Sequence, residues 1–95
     1  MARNFVVGPT DGKLVYLQGV GARYLARSAE TGGRLALVEH PIQPRSLAAP
    51  IHTHHDEDEI SFVVSGKIGA QIGDQVLTAG PGSLVFKPRG IPHAF

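Results

Sequence analysis

The chain has 95 residues, 42% of them hydrophobic and 18% charged, with a formal net charge of +1. That length allows one domain with a modest core, because small domains bury a smaller share of their surface. Basic and acidic residues are interspersed, so there is no basic stripe to suit a nucleic acid, and the absence of cysteine excludes disulfides, thiolate metal sites and cysteine nucleophiles.

Residues 1–9 lack the sustained apolar stretch of a signal peptide. No apolar run approaches membrane-spanning length. A single cytoplasmic domain over residues 1–95, with no membrane and no nucleic-acid partner, is therefore expected. Twelve glycines and seven prolines fall singly between short apolar runs, which predicts strands and turns. Residues 13–17 and 34–38 read as strands bounded by Asp11-Gly12 and Thr31-Gly32-Gly33. Between them, residues 21–30 also read as strand. Residues 41–50 carry three prolines and predict a loop or an extended edge, since proline cannot donate to a sheet ladder.

The second half is clearer. Residues 60–64 form a β-rich run that stops at Ser65-Gly66, and residues 67–72 and 75–78 flank a hairpin turn at Gly73-Asp74. A turn over residues 79–82 precedes a strand at 83–87, Pro88-Arg89-Gly90 ends it, and residues 91–95 begin something new. Many short strands at regular spacing predict an all-β sandwich or barrel.

The chemistry lies in the same half. On a strand, side chains two apart share a face, so His52 and His54 point the same way while Thr53 and His55 point the other. Glu59 would fall on the wrong face of an unbroken strand, but the polar run His55-Asp56-Glu57-Asp58 suits a solvated turn that resets the parity. Two histidines and a carboxylate then make a three-donor arrangement that leaves positions open for water or substrate. The isolated His40 reads as structural or exposed, and there is no H-E-x-x-H pattern for a zinc protease.

These residues resemble a known family. His52-x-His54-x4-Glu59-x6-Gly66 is similar to the first signature motif of the cupin superfamily, counted here over residues 46–66, with Ser46 where the family usually has glycine. Gly82-x5-Pro88-x-Gly90-x2-His93, counted over residues 82–95, is similar to the second. The family's asparagine four residues after that histidine has no counterpart, because the sequence ends at Phe95. At average usage of roughly 7% glycine and 5% proline, the Gly82-Pro88-Gly90 spacing alone arises about twice in 10⁴ registers.

The resemblance implies an all-β, cupin-type jelly-roll barrel, truncated here after the second motif so that the C-terminal strands are absent. It implies one divalent transition metal (iron, manganese, nickel, copper or zinc) held by His52, His54, Glu59 and His93. Around His52 to Gly66 the chain looks similar to small cupins of the quercetin-dioxygenase-like group, whose equivalent glutamate binds metal and takes a proton from substrate. The expectation is thus a dioxygenase acting on a small organic substrate, with Glu59 catalytic and Phe62, Val64, Phe86 and Phe95 as candidate pocket walls. Arg89 is expected at an exposed turn, where it could meet an anionic substrate. The alternatives are a non-catalytic metal- or ligand-binding module, or an isomerase or decarboxylase of the same family, since fold does not fix function. An unpaired edge beside His93 predicts a homo-oligomer, most simply a dimer.

Overall fold

A computed structural model describes residues 3–95. The chain divides into two compact units, one ending at Ser46 and one spanning Leu47–Phe95. Among the described residues all regular structure is antiparallel β, apart from one 3-10 turn, Ser28–Glu30. The ladders form three separate sheets rather than one closed barrel. No helix among the described residues is long and apolar enough to cross a membrane.

The first unit is a three-stranded meander of β1 (Leu14–Leu17), β2 (Val20–Ala26) and β3 (Leu37–Glu39), in the order β1-β2-β3. Gln18 and Gly19 join β1 to β2 with φ of 51° and 70°. Positive φ at both central residues marks a two-residue hairpin whose twist matches that of its strands, and glycine adopts it without a Cβ penalty. Arg23 ties the unit together: its Nε donates to Glu39 Oε1 at 2.9 Å and its Nη1 to the Asp11 carbonyl at 2.7 Å.

Two strand expectations need correction here. The strand expected over 21–30 ends at Ala26, because the Glu30 amide turns back to the Arg27 carbonyl and builds the 3-10 turn. The strand expected over 34–38 begins only at Leu37. The Thr31 hydroxyl donates to the Leu35 carbonyl at 2.6 Å and accepts from the Leu35 amide at 3.2 Å, which holds residues 34–36 against the turn. The proline-rich stretch behaves as an extended edge at its start, where Ile42 bridges Val20 and the Gly21 amide donates to the Pro41 carbonyl.

The second unit holds two sheets. One pairs β4 (Glu59–Phe62) with β7 (Leu84–Lys87); the other runs β6-β5-β8, from β5 (Ile68–Ile72), β6 (Gln75–Ala79) and β8 (His93–Ala94). The expected Gly73-Asp74 hairpin is present, with Ile72 opposite Gln75. In the β4–β7 pair the register sets Glu59 against Lys87, Ile60 against Phe86, Ser61 against Val85 and Phe62 against Leu84. Alternation along the strands then gives one face to Glu59, Ser61, Val85 and Lys87 and the other to Ile60, Phe62, Leu84 and Phe86. The first face is the more buried and the second is exposed. The buried apolar side chains of this unit are Val63, Ala70, Val85 and Ala94, joined by two polar residues, Lys87 and His93.

Candidate metal centre

His52, His54, Glu59 and His93 come together: each offers one donor atom, and these atoms lie within 4.8 Å of one another. The three imidazole centroids are 4.4 to 5.5 Å apart. Backbone pairing produces this cluster. His52 and His93 exchange both amide-to-carbonyl hydrogen bonds at 2.9 Å, forming a β-bridge between the two motifs. The Gly90 amide donates to the His54 carbonyl at 2.7 Å, and at φ 79° glycine makes the tight turn that delivers His93. Glu59 arrives from β4 on its inward face.

His52 and His54 do turn into the same cluster, with ring centroids 4.9 Å apart, but no continuous strand carries them. Only His52 takes part in β-pairing, while Thr53 and His54 are irregular backbone. The His54 carbonyl is held by the Gly90 amide and its ring by Glu57 and Glu59. The bend over 55–56 that returns Glu59 is present as expected, and His55 is exposed.

Ring orientation is fixed from outside the cluster. His52 Nδ1 lies 2.7 Å from the Pro50 carbonyl, which can only accept, so Nδ1 carries the proton and Nε2 is the free donor. His54 Nδ1 stands 3.1 Å from Glu57 Oε1, leaving Nε2 facing Glu59 Oε1 at 3.3 Å. Outer carboxylate and carbonyl partners of this kind are what orient metal-ligating histidines. His93 is 1% exposed, and neither of its ring nitrogens has a hydrogen-bond partner. Its Nε2 stands 3.5 Å from Glu59 Oε2.

Buried, unpaired ring nitrogens are costly unless something satisfies them. Two donors each about 2.1 Å from one ion stand about 3.0 Å apart at a right angle and about 3.4 Å apart at the tetrahedral angle. The 3.3 Å between His54 Nε2 and Glu59 Oε1 falls in that range and the 3.5 Å between His93 Nε2 and Glu59 Oε2 lies just beyond it; with all four donor atoms within 4.8 Å of one another, the residues present fit a metal ion. Three imidazoles and one carboxylate suit borderline first-row ions rather than calcium or magnesium.

Lys87 is the residue that the sequence reading missed. Its side chain is 0% exposed, and its ammonium lies 2.6 Å from Glu59 Oε2. It also donates to Ser61 Oγ at 2.6 Å and sits 4.0 Å from the centre of the Phe95 ring. A lysine at the inward position of the otherwise apolar run Leu84-Val85-Phe86 was the available signal. Asp58 and Arg89 form a second unforeseen link: Asp58 Oδ1 accepts from the Arg89 amide at 3.0 Å, bracing the loop before Glu59 against the turn before His93. Arg89 is otherwise exposed, as expected, and His40 is held by the Gly21 carbonyl at 2.9 Å.

The candidate pocket residues are placed less centrally. Phe62 and Phe86 lie on the face of the β4–β7 sheet opposite Glu59, with Phe62 62% exposed, and Val64 is also exposed. Of the four, Phe95 is the one the structure brings near the cluster, through Lys87.

Burial pushes the Glu59 carboxyl upward, but the Lys87 contact, aided by His93 and His54, outweighs it and holds Glu59 below the usual carboxylate value. Burial also lowers His93, and the opposing pull of Glu59 does not restore it. A depressed value means the folded state releases its proton more readily than the unfolded chain. Each group therefore contributes stability above its unfolded value and loses it as pH falls. The metal-free protein should lose stability in two stages on acidification: first below the usual histidine value of 6.5 through His93, then below 4.5 through Glu59. Urea unfolding at a series of pH values checks this. The first stage should vanish in His93→Asn, and an unchanged slope in that variant would assign it elsewhere.

The family model for the cupin domain matches residues 38–95. An uncharacterised protein of Streptomyces coelicolor is 39% identical over 41 residues, a stretch covering 43% of this chain and 39% of that relative. No solved structure gives a significant match. With a family match over more than half of its length, centred on the residues that build this cluster, the chain belongs to the cupin family.

Proposed function

We propose that the protein is a metal-dependent oxidoreductase of the dioxygenase type, acting on a small organic substrate at a centre formed by His52, His54, Glu59 and His93. The observation that carries this reading is the convergence of all four donors, with the buried His93 ring among them. A divalent iron, manganese, nickel, copper or zinc ion held there would supply Lewis acidity, and the redox-active ions would also serve dioxygen chemistry.

The chain's own residues divide the remaining work. His52 and His54 present Nε2, with their Nδ1 protons directed at Pro50 and Glu57. Glu59 is kept ionised by the neighbouring Lys87 ammonium, so its carboxylate is ready to accept a proton from a bound substrate hydroxyl. A carboxylate stabilised in this way is a weak base and accepts only from an acidified donor. That favours an enol or phenol over a simple alcohol.

Metal analysis of the purified protein tests this reading. Near-stoichiometric transition metal is expected in the parent and its loss in the His54→Ala/Glu59→Ala variant. The loaded parent should consume oxygen with at least one member of a panel of flavonols, diketones and thiols. Metal binding without oxygen uptake across that panel would replace the enzyme reading with a binding module.

We also propose a homodimer. Its support is the exposed apolar face of the β4–β7 sheet, where Ile60 and Phe62 stand opposite Phe86 and Leu84, a feature that marks association surfaces. Sedimentation at micromolar concentration should return twice the chain mass of 10.1 kDa; a cooperative folder that remains monomeric would refute the dimer.

A further inference from the structure

A buried lysine beside a prospective metal ligand is an unusual arrangement, because an ammonium and a dication compete for the same carboxylate. Lys87 is wholly buried and directly opposite Glu59 in the β4–β7 register. Its ammonium is 2.6 Å from Glu59 Oε2, and Ser61 Oγ and the Phe95 ring hold it from other sides. These contacts fix the lysine on one oxygen of the carboxylate. Oε1 faces His54 Nε2 at 3.3 Å, and Oε2, besides its lysine contact, stands 3.5 Å from His93 Nε2.

We propose that Lys87 is a built-in rival cation for Glu59, a positioning residue that competes with a metal ion for Oε2 and so favours Oε1 as the metal-binding oxygen, with the result that the centre binds divalent ions more weakly than its donor set allows. The inference rests on the metal-centre reading above. In the metal-free protein the ammonium balances the carboxylate, which lets the cluster assemble without an ion. Once a dication is present, the same buried ammonium repels it at short range. Lys87 therefore lowers affinity and disfavours two-oxygen binding by Glu59. A merely structural lysine would act in the opposite direction, since its loss would loosen the cluster and weaken the metal.

The test is calorimetric titration of metal-free parent, Lys87→Met and Lys87→Gln with Zn²⁺ and Ni²⁺. Lys87→Gln keeps a polar donor for Ser61 and Glu59 but carries no charge. Both variants should bind at least tenfold more tightly than the parent, and both should be less stable than the parent without metal and regain that stability with it. The parent supplies an independent readout that needs no variant. Its metal-minus-apo infrared difference spectrum, with ¹³C-labelled glutamate, should show the widely split carboxylate stretches of one-oxygen binding. Equal or weaker binding by a folded variant overturns the proposal, as does a narrowly split, two-oxygen carboxylate in the parent. A parent that binds neither ion overturns the metal-centre reading itself, and this inference with it.

Discussion

Two backbone hydrogen bonds of 2.9 Å, exchanged between His52 and His93, are the constraint on which the centre depends. They join the start of one motif to the end of the other and fix two imidazoles with centroids 4.4 Å apart. Everything else in the site is arranged around that bridge. The Gly90 amide ties in the His54 carbonyl, Asp58 braces the turn that leads to His93, and β8 anchors the pair to the β6-β5-β8 sheet through Gln71 and Ile72. Side-chain chemistry is thus assembled mainly by main-chain pairing, which fixes positions more tightly than flexible side chains could.

The second determinant is electrostatic. The Glu59 carboxylate lacks a counter-charge among the three imidazoles, and buried Lys87 supplies it. The same contact explains why Glu59 stays ionised despite its burial. Burying an ammonium is costly without compensation. Here Glu59, Ser61 and the Phe95 ring all compensate it, so the charge is retained inside a unit whose apolar core is otherwise small.

Much of this was legible in the sequence, and the limits have physical causes. Turn chemistry located the hairpin at Gly73-Asp74 and the strand end at Pro88-Arg89-Gly90, because glycine and proline act locally. The clustering of His52, His54, Glu59 and His93 was legible from spacing, whereas the tie of the His54 carbonyl to Gly90, a residue far along the chain, was not. Long-range contacts also hid Lys87, whose partner Glu59 sits on another strand. The strand over 34–38 was misplaced because the Thr31 hydroxyl competes for the Leu35 backbone, a side-chain effect that periodicity cannot register. The outward placement of Phe62 was available from strand alternation alone, given that Glu59 faces inward, whereas that of Phe86 follows from the β4–β7 register.

The most direct test of the centre is a long-range ¹H–¹⁵N spectrum of histidine-labelled protein recorded before and after one equivalent of Zn²⁺. Of the five histidines, His52, His54 and His93 should each show one ring nitrogen displaced to the position of a metal-bound imidazole, with Nε2 the nitrogen affected in His52 and His54. His40 and His55 should keep their signals. An unchanged spectrum, or one in which His55 binds while His93 does not, would contradict the account.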